Sequence, residues 1–386
     1  MSEVIETVGW LIFAIWAAVL LPSAVTMSCR TLRRHSARLP ELEPRPLVSV
    51  IVPARDEGKK IERTLRSLLA SEGVHLEVIA VDDRSQDETG AVMDRMAETD
   101  ARLRVFHVTK LPEGWLGKNH ALHVGAQSAR GEYLLLTDGD VIFAPQAIGL
   151  SVRYAVGRKI DHLCLMPRMV RGGYWENALV TYFGVMFAAG TFCWLVPTPC
   201  KRAYVGVGAF NLVRAEAYRQ TGGHQPIRLD VLDDVKLGKL MKRTGFRQDL
   251  LSADDLVQVR WQESAWSVIR GLEKNAFASV DYSLAKLAIL SLAGLALLLP
   301  PYAAAWLWPD GRSLGFVASL LLMHIVYAVL GHRLGGGWMV CPVLPLAALG
   351  MLFAFWRSAW ITLRQGGVRW RETFYPLETL RRNLFR

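Results

Sequence analysis

The spacing of apolar and polar positions divides the chain into three stretches. From Val8 to Met27 no residue is charged, a run long enough to cross a bilayer. Residues 1–28 are therefore expected as an N-terminal transmembrane helix. A Pro-rich linker, Pro40 to Pro46, leads into a middle stretch, about 46–275, where short apolar runs alternate with amphipathic ones. Leu47–Ala54 reads as a buried strand, residues 59–70 as a helix and Glu77–Asp83 as a second strand. Gln86–Glu98 reads as a helix, Leu103–Val108 as a third strand, Lys118–Arg130 as a helix and Tyr133–Asp138 as a fourth strand. Strands alternating with helices predict an α/β domain with a mainly parallel sheet covered on both faces. Ligands of such sheets bind beyond the carboxyl ends of the strands.

The third stretch, 284–363, is apolar again and contains candidate spans at 284–308, 314–332 and 338–361. Three crossings after a cytoplasmic domain would leave the tail outside. The tail, 364–386, holds six Arg and two Glu, which favours the inside. Either one span is re-entrant or interfacial, with 338–361 (Pro342 and Pro345) as the candidate, or the tail departs from this rule; an inside tail is the expectation. Asn177–Cys200 is also free of charge over 24 residues. It stands between motifs near 138 and 234 that must share one site, and it contains Gly184, Gly190, Pro197 and Pro199. An interfacial helix plus turn is the preferred reading, with a buried core helix as the alternative.

Composition agrees with a chain that is part soluble and part in lipid: 52% hydrophobic and 21% charged over 386 residues. The net charge of +10 matters through its placement. Arg30, Arg33, Arg34 and Arg38 follow the first apolar run without an intervening acid, so that flank is cytoplasmic. No basic stretch precedes the run and no small-residue cleavage pattern follows it, which argues against a signal peptide. The basic clusters sit at membrane borders and point to anionic lipid rather than nucleic acid. The five cysteines form neither a disulfide framework nor a zinc pattern. No P-loop and no G-x-G-x-x-G opening a helix is present, and Gly206-Val-Gly208 reads only as a loop.

Acidic residues collect where the strands end. The first strand runs into Pro53-Ala-Arg55-Asp-Glu57, the second into Val81-Asp-Asp83-Arg-Ser-Gln-Asp87, and the fourth into Thr137-Asp138-Gly-Asp140. Asp87 reads as a helix cap. Carboxylates along one rim repel unless a cation or hydrogen-bond donors satisfy them. A diphosphate calls for a divalent cation, and Mg2+ or Mn2+ takes one or two carboxylates plus phosphate oxygens. Asp138 and Asp140 are the candidate metal ligands. Asp83 can accept from the N–H of a uracil-type base. In Trp115-Leu-Gly-Lys118-Asn119, a lysine at a helix start suits a phosphate or a sugar hydroxyl. Asp233 and Asp234 precede a helix, one suited to cap it and the other to act as general base. Asp230 is a weaker candidate base in the same loop. Gln258-Val-Arg260-Trp261 lies ahead of a helix expected to contain Trp266 and Lys274-Asn275, and Arg with Trp suits a diphosphate and a sugar ring.

These motifs, in this order, resemble the GT-A (Rossmann-like) glycosyltransferases of family 2 over about residues 46–275. Trp115–Leu122 and Arg369-Trp-Arg-Glu-Thr-Phe-Tyr-Pro376, with the terminal membrane segments, look most like the hopene-associated glycosyltransferases. Ceramide glucosyltransferases and carotenoid-acid glycosyltransferases are neighbours. The resemblance implies that Pro53, Glu57 and Asp83 hold the nucleoside, with Arg55 in the same turn. It further implies that Asp138 contacts ribose or diphosphate, that Asp140 binds the metal, and that Asp234 is the base with Asp233 beside it. It implies single displacement with inversion, from a nucleotide-diphosphate sugar, UDP-linked by this reading, to a lipid or hopanoid-type hydroxyl. Relatives carry Q-x-x-R-W where this chain is one residue shorter, which affects Gln258 more than Arg260 or Trp261. The expected place is the inner membrane, multi-pass, with the catalytic domain on the cytoplasmic side. A processive polysaccharide synthase and a non-catalytic nucleotide-sugar-binding scaffold are the competing functions. The sequence leaves the oligomeric state open.

Overall fold

A computed structural model describes residues 2–308 and 311–385. Met1 of the expected first helix, residues 309–310 of the C-terminal apolar stretch and Arg386 of the tail lie outside the described residues. The chain divides into two compact units that interleave along the sequence. One comprises Arg30–Val170, Leu195–Arg260 and Asn383–Arg386, and the other Met1–Cys29, Arg171–Trp194 and Trp261–Arg382. The division cuts across the expected 46–275 domain: residues 171–194 and the chain from Trp261 group with the apolar helices.

The first unit is built on a seven-stranded sheet. Its strands are β1 (Leu47–Ala54), β2 (His75–Asp83), β3 (Leu103–Val108), β4 (Tyr133–Leu136), β6 (His162–Met166), β8 (Asn211–Arg214) and β9 (Gln248–Ser252). A small sheet joins β5 (Val141–Phe143), β7 (Arg168–Met169) and β10 (Val257–Val259). The large sheet runs in the order β3-β2-β1-β4-β8-β6-β9. All pairings are parallel except those of β8, which is antiparallel to both β4 and β6. β1 and β2 are buried along almost their whole length. Continuous rather than alternating burial follows from helices covering both faces.

The chain steps outward from β1 to β2 and β3, then returns to place β4 on the other side of β1. That reversal opens a crevice at the carboxyl ends of β1 and β4, where the Arg55–Glu57 turn and Asp138 emerge. The helices end close to where periodicity placed them. The Gly58–Leu69 helix turns Ile61, Thr64, Leu65 and Leu68 inward, the three-and-four spacing of an amphipathic helix. Three boundaries differ. The fourth strand stops at Leu136, so Thr137 and Asp138 lie in the loop beyond it. The helix expected at 118–130 ends at Gln127, and that expected from Gln86 begins at Thr89 because residues 84–88 form a turn.

Among the described residues, the second unit contains four helices long and apolar enough to cross a membrane: Ser2–Cys29, Leu284–Leu307, Gly311–Leu334 and Trp338–Gln365. The last opens with a 3-10 stretch, Trp338–Val343, that absorbs Pro342 before the α-helix Leu344–Gln365. The uncharged run 177–200 is a helix, Tyr174–Gly190, followed by a turn. Its 17 residues pack among the apolar helices, and Leu179, Val180 and Val185 are buried there. Lys274 and Asn275 fall beyond the Ala265–Gly271 helix, contrary to expectation, and the Lys274 ammonium sits 3.8 Å from the Trp370 ring centre.

Ile51 is fully buried at the centre of β1. Ile51→Ala should cost about 2–5 kcal/mol of stability, seen as a lowered thermal midpoint of the purified chain.

Candidate functional site

Two loops meet at the ends of β1 and β2, where the register pairs Pro53 with Val81 and Ala54 with Asp82. The Asp56 N–H donates to Ser85 Oγ at 3.1 Å, and the Gln86 N–H donates back to Asp56 Oδ1 at 2.8 Å. The Glu57 N–H donates to Thr89 Oγ1 at 2.8 Å. Asp87 caps as expected, and does so for two helices: its oxygens accept from the Gly58 and Thr89 N–H groups, each at 3.0 Å. Asp83 is almost fully buried and takes a two-point contact from its neighbour, with Arg84 Nε and Nη2 at 2.8 and 3.1 Å. Each Asp83 oxygen keeps a second lone pair for another donor. Arg55 Nε lies 3.9 Å from Asp56 Oδ2. Asp56 and Arg84 both have φ near +55°, at 54° and 59°, a conformation that is uncommon outside glycine and costs energy in a residue as large as arginine. Pro53, Arg55, Glu57 and Asp83 are thus gathered on one rim.

A second cluster forms where the Gly117–Gln127 helix begins. Lys118 Nζ lies 2.8 Å from Asp138 Oδ1 and 3.2 Å from Asp233 Oδ2. Burial alone would lower the lysine pKa, but the carboxylates of Asp138, Asp233 and Asp234 outweigh it and hold the ammonium well above its ordinary value. Asp234 moves the other way: burial, then the adjacent Asp233, push its carboxyl far above the usual carboxylate range. Its Oδ1 accepts from the Val235 N–H at 2.8 Å. Asp140 is also raised, by burial and then by Asp138, with Lys60 Nζ 3.8 Å away as partial compensation.

The loop before β8 brings Asp138 and Asp234 to the same place. A Cβ added to Gly208 would stand 2.7 Å from Asp138 Oδ2 and 3.4 Å from Asp234 Oδ2. At Gly206 it would stand 1.8 Å from the Asp234 carbonyl oxygen, an impossible distance for any other residue in this backbone. Gly206-Val-Gly208 is a loop, as read, yet its glycines are what allow the Asp233–Thr244 helix to approach. Buried side chains hold this loop. Gln248 exchanges two hydrogen bonds with the Val205 backbone, at 3.0 and 2.9 Å. Asn211 does the same with Val207, at 3.3 and 2.8 Å. His162 bridges the two amides, and burial pushes its pKa down to about 4, so it stays neutral.

The loop from Ile227 to Leu232 is fastened to the start of the Gly117–Gln127 helix. The Leu116 N–H donates to the Arg228 carbonyl at 2.9 Å, and Asn119 Nδ2 donates to the carbonyls of Ile227 and Asp230 at 2.9 and 3.0 Å. Asp230 is 1% exposed and sits 3.6 Å from Lys236 Nζ, turned into the protein. The sequence offered Lys118 as a candidate, with Asn119 beside it but no role for it, and gave no sign of His162, Asn211 or Gln248. Their one signal is a polar residue within or beside an apolar run.

Gln258 and Arg260 stand differently. Gln258 lies in β10 and donates to the Asp255 carbonyl at 3.2 Å, with no contact to the acids among its described bonds. Val259 pairs with Val141 in antiparallel register, so Arg260 leaves the ladder at the end where Asp140 enters it. Trp261 belongs to the other unit, where its ring meets Phe183 with centroids 4.6 Å apart. Among the described residues no three His, Cys, Asp or Glu side chains are grouped to hold a metal. The donor set here is two carboxylates, which suits a hard cation that takes its other ligands from phosphate and water.

Residues 49–218 match the Glycosyl transferase family 2 domain. A 4,4'-diaponeurosporenoate glycosyltransferase of Staphylococcus aureus (strain MRSA252) is 25% identical, over 94% of this chain and 98% of its own length. One of the same name from Staphylococcus haemolyticus (strain JCSC1435) is 27% identical over 59% of this chain and 60% of its own. Among solved structures, a mannosyltransferase from Pyrobaculum calidifontis in complex with GDP-Man and Mn2+ is similar, with a TM-score of 0.52 and 19% identity over 94% of this chain and 98% of that one. That likeness supports the GT-A fold.

Lys118→Met would leave two carboxylates facing each other without their cation. Sugar transfer should fall by about 10²-fold or more, while the variant remains folded by circular dichroism. Gly206→Ala should lower kcat by about tenfold or more by displacing Asp234, which steady-state kinetics would read.

Proposed function

We propose that this chain, a glycosyltransferase built on a family 2 domain of the GT-A fold, moves a sugar from a nucleoside-diphosphate donor to a lipid-like acceptor at a membrane surface. The observation that carries the reading is Lys118, set between Asp138 on the sheet side and Asp233 beside Asp234 on the helix side. The site has a donor half and an acceptor half, and Lys118 joins them.

In the donor half, Pro53, Arg55, Glu57 and Asp83 receive the nucleoside. A divalent cation, Mg2+ or Mn2+, would be held by Asp140 with Asp138 and would supply positive charge to the diphosphate. Lys118 adds a fixed positive charge to the same region, and Arg260, which follows β10 where Asp140 enters the ladder, is proposed to add a second. In the acceptor half, Asp234 takes the proton of the acceptor hydroxyl as its oxygen bonds to the anomeric carbon. The bond from that carbon to the diphosphate oxygen breaks, and the nucleoside diphosphate leaves with the electron pair. Attack opposite to the leaving group inverts the anomeric carbon. A base with a raised pKa is suited to this work, since proton affinity near the working pH favours transfer.

Four apolar helices of spanning length support membrane attachment. Residues 171–194 leave the unit that carries the acids and the chain then returns to it, and so does the stretch 261–382. An even number of crossings in each excursion keeps the acids on one side of the bilayer, the cytoplasmic side by the arginines after Cys29. One of the three C-terminal helices then does not cross, in keeping with an inside tail. A hopanoid-type or other lipid hydroxyl is the acceptor in this reading, and the carboxylate of a carotenoid acid, for which the curated relatives are named, is the alternative.

These two acceptor classes make different demands on Asp234. A carboxylate is already a nucleophile and needs no base, whereas a hydroxyl must lose its proton. Asp234→Asn should therefore reduce transfer to a lipid hydroxyl by about 10²–10⁴-fold and spare transfer to a carotenoid carboxylate. Nucleoside diphosphate binding, read by calorimetry, should be unchanged. With a hydroxyl acceptor the parent chain should lose rate as pH falls through the raised Asp234 pKa, well above the usual carboxylate value of about 4, because the protonated form cannot accept. The acid limb should vanish in Asp234→Asn. Full transfer to a hydroxyl acceptor by that variant would remove Asp234 from its role.

A further inference from the structure

The residues 383–385 return to the unit that carries the acids and end on the helix that begins with Asp233 and Asp234. The Phe385 N–H donates to Asp230 Oδ2 at 3.1 Å. The Phe385 carbonyl accepts from Lys236 Nζ at 2.9 Å and from Lys239 Nζ at 3.4 Å. Its ring packs against the core cluster containing Ile227, Leu237 and Met241. Lys239 and Arg243 place their charges 5.9 and 5.8 Å from the ring centre.

Asp230 and Lys236 flank the Asp233-Asp234 pair, and both are buried, at 1% and 6% exposure. A buried ion pair is stable only when its remaining donors and acceptors are also met. The Asp230 carboxylate has Lys236 on one side and needs a donor on the other, which the Phe385 N–H supplies. The Lys236 ammonium has three donors, and the Phe385 carbonyl takes one. One residue of the 383–385 segment thus bonds both halves of the pair. It does so on a helix whose first turn faces Lys118 and whose next turns carry Leu237 and Met241 against the same cluster.

We infer that the Asn383–Phe385 segment is a clasp that fixes the Asp230–Lys236 turn and so positions Asp234 for transfer, with Phe385 as its positioning residue. The inference rests on the proposed role of Asp234. It assigns to the segment a task separate from donor binding, because the nucleoside rim, Pro53 to Asp83, shares none of these contacts.

The test uses the full chain in lipid nanodiscs, a variant lacking residues 383–386, and the substitutions Phe385→Ala and Phe385→Tyr. Three quantities are read: kcat and donor KM for transfer, nucleoside diphosphate affinity and stoichiometry by calorimetry, and amide hydrogen exchange over 227–236. The clasp predicts that the deletion and Phe385→Ala lower kcat about tenfold or more, with donor KM and nucleotide binding unchanged. Phe385→Tyr keeps the ring and the backbone bonds and should retain the parent rate. Exchange over 227–236 should quicken by about tenfold or more in the deletion. Exchange and kcat at the parent level in the deletion would overturn the proposal. So would a loss of nucleotide stoichiometry in step with kcat, since the segment would then hold the fold and not the helix start. The exchange readout needs no substrate. If the parent chain transfers no sugar to any lipid, the proposed reaction fails while exchange still decides the clasp.

Discussion

The carboxylates of Asp138 and Asp233 meet at Lys118, 2.8 and 3.2 Å from its Nζ, with Asp234 beside them, and Lys118 is the cation that makes this tolerable. Without it, burial and mutual repulsion would act together on acids that come from two separate parts of the chain. Lys118 also depends on its surroundings. Its helix starts at Gly117, and the loop leading into Asp233 is tied to that same start through Leu116 and Asn119. The cation and its partners are thus held by one set of backbone contacts. The Gly206–Gly208 loop closes the arrangement from the other side, where any side chain at Gly206 would strike the Asp234 carbonyl.

Placement of the acids follows from elementary features. β1, β2 and β4 are apolar runs that must be buried, and their carboxyl ends must point to the crevice left by the reversal in strand order. Arg55, Glu57, Asp83 and Asp138 were therefore legible as one rim from the sequence, as was the α/β class with its mainly parallel sheet. The apolar helices were legible from length and lack of charge. The helix ends were less so, because residues 84–88 satisfy their backbone through side chains such as Asp87 and Thr89 rather than through the helix that periodicity suggests.

What the sequence concealed is nonlocal. Gln248 holds the Val205 backbone from 43 positions away and, through His162, meets Asn211, which bonds Val207 only 4 positions back. Nothing in an isolated glutamine beside an apolar strand announces that it replaces a strand neighbour. The same holds for Gly206, whose requirement comes from a helix that begins 27 positions later, and for Phe385, whose partners lie about 150 positions upstream. The division of the chain at Arg260 and Trp261 is of this kind too. The two residues are adjacent in sequence, yet one follows the strand that pairs with Val141 and the other meets Phe183 among the apolar helices.

The central claim is that Lys118 couples the donor acids to the acceptor acids. A double-mutant cycle between Lys118→Met and Asp233→Asn, read in kcat/KM for sugar transfer, tests it most directly. Coupling through one ion pair predicts strong non-additivity: once Lys118 is gone, neutralising Asp233 should cost little more and could restore part of the rate by relieving repulsion on Asp234. Losses that simply add would mean that the two residues act independently, and would contradict a site organised around this cation.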